Sequence, residues 1–163
     1  MIKNRRMALA ALLWMGVIFY LSSCPDQLSS EQSGFFVSAV MRVIRPFLPQ
    51  SADLAAVTET VGFLVRKCAH MSEYAVLICL LLQAVRPPYT AFLTGVAYAA
   101  LDEFHQTFVS GRAGQVRDVL IDTAGMAAGL LIYTAVRRLV RKKGRGTLQS
   151  DRSANLPHSD GSS

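Results

Sequence analysis

Cysteine is scarce: the three in 163 residues, at positions 24, 68 and 79, fall at no CxxC-type spacing, which argues against a zinc finger or ribbon. No GxSxG, SxxK or HExxH stretch occurs, so the local signatures of the common serine hydrolases and zinc peptidases are missing. There is no internal repeat. Acidic charge is also sparse, with 11 Asp and Glu against 17 Lys and Arg and a formal net charge of +6. That basic surplus is not spread along the chain. Lys3, Arg5 and Arg6 precede the first apolar run, and Arg137, Arg138, Arg141, Lys142, Lys143 and Arg145 follow the last. Basic residues flanking apolar runs follow the positive-inside pattern, so nucleic acid is not an expected partner and membrane lipid is.

Apolar residue is what the chain has in quantity. It makes up 52% of the sequence, in runs about long enough to cross a bilayer. Residues 7–23 form the first, uncharged run. Leu21-Ser22-Ser23-Cys24 fits a bacterial lipoprotein cleavage site, but a retained first helix ending near Pro25 is favoured because further runs follow. In residues 26–66, Phe35, Phe36, Val40, Val43, Ile44 and Phe47 recur at helical spacing with Gln32, Ser38, Arg42 and Arg45 between them, until Pro46 stops the pattern. This predicts an amphipathic helix lying along the membrane surface. A weaker pattern (Leu54, Val57, Val61, Leu64) follows, with Ser51 or Asp53 as N-cap and Gly62 as a potential break.

Further spans are expected at 69–85, 89–109 and 116–136, separated by Arg86-Pro87-Pro88 and by the turn Ser110-Gly111-Arg112-Ala113-Gly114. The fold class that follows is an all-α membrane protein. It has about four transmembrane helices plus the amphipathic outer segment, and both termini are cytoplasmic. Residues 1–140 form the transmembrane domain, and 141–163 a basic, then polar, disordered cytoplasmic tail. In that topology 24–66 and 110–115 face outward, and a Cys24–Cys68 disulfide is open to either outcome.

The same topology places the ionisable residues of three spans at one depth. Lys67, His70 and Glu73 open the second span, Asp102, Glu103, His105 and Gln106 close the third, and Asp118 and Asp122 open the fourth. An unpaired charge at a span centre costs about 2.5–3.5 kcal/mol on insertion scales, so convergence is expected. Helical phase groups His70, Glu73, Tyr74 and Leu77 on one face. It also draws two stripes, Gly95–Ala99–Asp102–Gln106 and Asp118–Asp122–Gly125–Gly129, with small residues inside and polar ones outside. Antiparallel packing of the third and fourth spans along these stripes is the expectation.

Three stretches, taken together, carry a family resemblance. Arg66-Lys67-Cys68-Ala69-His70-Met71-Ser72-Glu73-Tyr74 resembles the K-x-x-H-x-x-E-Y segment of VanZ-like proteins. Leu101-Asp102-Glu103-Phe104-His105-Gln106-Thr107-Phe108-Val109-Ser110-Gly111-Arg112 is similar to their D-E-x-x-Q-x-F-x-x-G-R segment. Arg117-Asp118-Val119-Leu120-Ile121-Asp122-Thr123-Ala124-Gly125 resembles their D-x-x-x-[ND]-x-x-G segment, with aspartate at 122 where asparagine is usual. The resemblance covers about residues 10–136. It implies a small multi-pass protein of the bacterial cell membrane, in a family named for a member associated with low-level teicoplanin resistance. The motif positions it carries over are Lys67, His70, Glu73, Tyr74, Asp102, Glu103, Gln106, Gly111, Arg112, Asp118, Asp122 and Gly125.

From the residues themselves, His70 with Glu73 is an acid/base pair, two ligands of a metal, or a structural hydrogen-bonding pair. Asp102 and Glu103 suit a divalent cation or proton transfer, or else a polar network joining helices. Lys67, Tyr74, Gln106, Arg112, Asp118 and Asp122 are candidate binding groups. Arg112 either grips an anion bidentately or pairs with Asp118. An outer-face pocket acting on a lipid-linked cell-envelope precursor, and a non-catalytic membrane factor, both remain open.

Overall fold

The computed structural model describes residues 2–112 and 114–154, with side chains other than those of 26–30, 32 and 143–154. The end of the expected tail, 155–163, and the side chains of Gln32, Lys143 and Arg145 therefore lie outside the described residues. The chain divides into two compact units, Met1–Leu130 and Leu131–Ser163, and every contact discussed below lies within the first.

Among the described residues the fold is all-helical. Helix α1, Arg5–Ser22, starts where the Asn4 side chain accepts from the backbone N–H groups of Arg6 and Met7 at 3.1 and 3.3 Å, satisfying two of the donors that a first turn leaves open. Helix α2 is Asp26–Ile44, closed by a 3-10 turn, Arg45–Phe47, that contains Pro46. Helix α3, Leu54–Ala84, is capped by Asp53, which accepts from Ala55 and Ala56 at 2.9 and 3.3 Å. Helices α4, Pro88–Gln106, and α5, Val116–Ala154, complete the order.

Helix α3 departs from the expected pattern. The weak amphipathic stretch and the second span are one continuous helix of 31 residues, about 46 Å long at 1.5 Å per residue. Gly62 does not break it, because it sits buried against α2, where an added Cβ would meet Val37 at an ordinary 3.9 Å. A helix this long overshoots a hydrocarbon layer of about 30 Å. Its first half packs on α2 and its second half on α1 and α4.

The ends of the helices register against each other. Backbone N–H groups of Lys3 and Asn4 donate to the Ala84 carbonyl at 2.7 and 3.2 Å, which sets the start of α1 beside the end of α3. Ser22, at the end of α1, reaches Asp102 near the end of α4. Helices α1 and α3 are thus antiparallel, and α1 and α4 parallel.

Membrane character shows in what stays uncovered. Leu12, Leu13 and Tyr20 on α1, Leu93, Leu101 and Phe104 on α4, and Phe35, Phe36, Val43 and Phe47 on α2 and its turn are all exposed, an apolar surface suited to lipid rather than water. Among the described residues, two helices are long and apolar enough to cross a membrane: α1, and α5 over Val116–Lys142. Helices α3 and α4 fall outside that pair; both carry ionisable residues, Arg66, Lys67 and Glu73 in one and Asp102 and Glu103 in the other.

The small-residue stripes pair differently from the expectation of one seam between the third and fourth spans. Gly125 and Gly129 face α3: a Cβ on Gly125 would strike the Met71 carbonyl, and one on Gly129 would lie 2.6 Å from the Ala75 carbonyl oxygen. Gly95 of α4 does face α5, but through the flexible Met126 side chain rather than through its glycine stripe. Periodicity identifies the stripes, but α3 lies where the facing stripe was expected. Substituting Gly125 or Gly129 with Ala is therefore expected to destabilise the fold by about 1–3 kcal/mol, and Gly95→Ala by much less because a methionine side chain can move. Thermal unfolding in detergent measures the order; equal losses at all three positions would contradict it.

Candidate functional site

The polar residues gather at the end of the bundle where α1 and α4 finish. At its centre lies Asp102, 1% exposed. The Ser22 hydroxyl donates to its Oδ1 at 2.5 Å, and the Tyr74 hydroxyl and Gln106 amide approach Oδ2 at 3.4 and 3.3 Å. Donors from α1, α3 and α4 thereby replace the water that a carboxylate loses on burial. Tyr74 is wholly buried, so it faces this network rather than the interface. Ser22 was not picked out from sequence: a serine in the last turn of an apolar run looks like a helix end, and only tertiary placement gives it a carboxylate partner.

Glu103 is bound into a different task. Its Oε2 accepts from the Gln115 backbone N–H at 3.1 Å and its Oε1 lies 3.4 Å from the Gln106 amide. A Cβ at Gly114 would collide with the Glu103 carbonyl, so glycine is required for the loop to fold back onto α4. Gly111, at φ 76°, supplies the left-handed step in the same turn. Gln106 joins the two acids and extends outward, its Oε1 accepting from Arg112 Nη1 at 3.4 Å.

Asp118 is paired with Lys67, and Arg117 approaches it at 3.9 Å. The alternative in which Arg112 bridges to Asp118 is not what the structure shows, because Lys67, one helix over, takes that position. Asp122 is 1% exposed, and its Oδ2 has no hydrogen-bond partner. His70 Nδ1 and Glu73 Oε2 lie 3.8 Å apart, beyond hydrogen-bond length, and neither atom has a hydrogen-bond partner. His105, one turn along α4 from Asp102, is tilted against the Phe19 ring at a centroid distance of 4.4 Å, and its Nδ1 likewise has no hydrogen-bond partner.

Two small cavities open beside this network. One, of about 170 Å³, is lined by Ser33, Arg66, His70, Glu73 and Arg112 among others. The other, of about 150 Å³, has Lys67, His70, Gln106, Gly111, Arg112 and Asp118 in its wall. Arg66, His70 and Arg112 belong to both. Each is below the roughly 300–1,000 Å³ of usual small-molecule pockets, a size for one charged group rather than a whole substrate. Among the described residues no set of three or more His, Cys, Asp or Glu side chains is arranged to hold a metal ion. The oxygens of Asp102 and Glu103 face protein donors. Cys24, Cys68 and Cys79 are free thiols, so no Cys24–Cys68 disulfide is formed.

Two further cross-helix ties were not expected: Trp14 Nε1 donates to the Glu73 carbonyl at 2.9 Å, and the Tyr98 hydroxyl to the Met15 carbonyl at 2.6 Å. Both use an aromatic residue with a polar tip inside an apolar run, the one signal that would have found them.

Comparison with curated proteins and with solved structures returns no match. The family comparison does: the model of the VanZ/LLP1 family matches residues 7–138, a stretch that contains every polar residue of the cluster, and the chain belongs to that family.

Proposed function

We propose that this protein is a four-span protein of the bacterial cell membrane whose polar end faces outward. There it binds an anionic group of a lipid-linked cell-envelope precursor and lowers susceptibility to glycopeptides such as teicoplanin. The observation that carries this reading is the shared wall of the two cavities. Arg66, His70 and Arg112 line both, Lys67 stands in one, and Glu73 in the other. Guanidinium groups at a confined polar site favour phosphate or carboxylate, which they grip through parallel N–H donors. His70 and Glu73 are the acid/base candidates, since Nδ1 and Oε2 are uncommitted within the protein and proton transfer needs such atoms within reach of a substrate. Asp102, Glu103, Gln106, Tyr74, Asp118 and Asp122 hold and position that wall.

The outward orientation rests on the basic residues. Lys3, Arg5 and Arg6 at the start of α1, Arg86 after α3 and Arg137 onward in α5 fall on one side if all four helices cross. Reporter fusions at residues 50 and 112 are expected to be active outside the cell and those at 87 and 142 inside; the reverse assignment would refute the topology.

A second reading is favoured by Asp102, both of whose oxygens face side chains of the protein itself. In it the cluster is a helix-joining network and the protein a non-catalytic membrane factor. Glycopeptide susceptibility of cells expressing each variant, with membrane abundance measured alongside, separates the two. Glu73→Gln and His70→Ala are expected to abolish the protective effect while abundance stays within about twofold, whereas Asp102→Ala is expected to deplete the protein, as loss of a buried network typically costs a few kcal/mol. Retained protection in the first two variants, or their disappearance from the membrane, would favour the structural network instead.

A further inference from the structure

Outside the polar cluster, a groove of about 1340 Å³ lies between α2 and the first half of α3. Its walls are apolar over Val37, Met41 and Leu54, while three arginines, Arg42, Arg45 and Arg66, line it against one acid, Glu59. Two glycines keep it open. A Cβ on Gly34 would meet nothing within 4 Å, and one on Gly62 nothing nearer than 3.9 Å. On the outer side of the same helix and turn, Phe35, Phe36, Val43 and Phe47 are exposed. In a membrane protein such a surface lies in the interfacial layer, at the depth of phospholipid headgroups.

We propose that this groove is a binding site for an anionic phospholipid, with the phosphate on Arg42 and Arg45 and one acyl chain over Val37, Met41 and Leu54. Charge complementarity selects this occupant. A neutral lipid or an apolar peptide segment would leave the charges of the exposed Arg42 and Arg45 unanswered along the groove, whereas an anionic headgroup answers them at the depth where the groove opens. Arginine pairs with phosphate through two parallel N–H donors, and the chain-sized apolar wall distinguishes a lipid from a free anion. The proposed phosphate ligands, Arg42 and Arg45, lie outside the His70–Glu73 cavity, and the site does not depend on what that cavity does. The two adjoin, since Ser33 and Arg66 line the groove and the 170 Å³ cavity alike.

The test is native mass spectrometry of the full-length protein in detergent, titrated with dioleoylphosphatidylglycerol, with dioleoylphosphatidylcholine, and with phosphatidylglycerol in excess inorganic phosphate. The wild type is expected to retain one phosphatidylglycerol at concentrations where phosphatidylcholine is lost. Arg42→Ala/Arg45→Ala is expected to weaken that retention roughly tenfold or more, and Gly34→Leu, which fills the groove while leaving the arginines in place, to lower uptake as well. Arg137→Ala/Arg138→Ala, a basic pair elsewhere, is expected to leave it unchanged. Helical circular dichroism confirms that each variant is folded, and Gly34→Leu decides the matter if the arginine pair variant is not. Equal retention of the two lipids, phosphatidylglycerol binding that survives a folded groove variant, an equal loss in the Arg137/Arg138 variant, or displacement by inorganic phosphate would each overturn the proposal.

Discussion

A carboxylate buried among helices is the constraint on which the rest of the structure depends. Asp102 is lost to water, and burying such a group without donors costs several kcal/mol. Ser22, Tyr74 and Gln106 converge on it from α1, α3 and α4. Hydrogen bonds from these three side chains return part of that cost, with Ser22 the closest of them. They work only if the three helix segments meet at one height, so a single acid sets the register of the bundle's polar end. In lipid, where apolar surface gives helices no preference for one another over the bilayer, polar contacts and close packing carry more of that specification.

Helix α3 is the element through which the constraint spreads. Its first half forms the groove with α2, and Lys67 then pairs with Asp118. Met71 and Ala75 receive Gly125 and Gly129, and Tyr74 enters the Asp102 network. Close backbone approach at the two glycines brings α5 near enough for Lys67 and Asp118 to meet. Small residues on the inside of the stripe and charges on its outside are therefore one device: the glycines bring the helices together and the charges align them. Glu103 adds the loop, whose return onto α4 through Gln115 and Gly114 carries Arg112 to the cavity wall.

Much of this was legible in the residue order. The apolar runs and paired prolines marked the helices, and Asp53 was one of two N-caps expected. Lys67, Gln106 and Asp118 do line one cavity, and Gln106 bonds Asp102. What could not be read was partnership. A period of 3.6 residues says which side chains share a face and nothing about which helix that face meets, so the glycine stripe of α5 was assigned to α4 when it packs on α3. Nor does periodicity foresee that Gly62, buried against α2, leaves α3 unbroken. Ser22 gives no signal before α1 and α4 are side by side.

The central claim is that the network ending at Asp102 holds the bundle while His70, beside Arg112, stays open to an anionic ligand. The most direct measurement is nuclear magnetic resonance of ring-labelled histidine in micelles during titration with a lipid phosphate. The account predicts saturable movement of the His70 resonances, lost in Arg112→Ala, while His105 against Phe19 stays still. No movement at His70, or equal movement at His105, would contradict it.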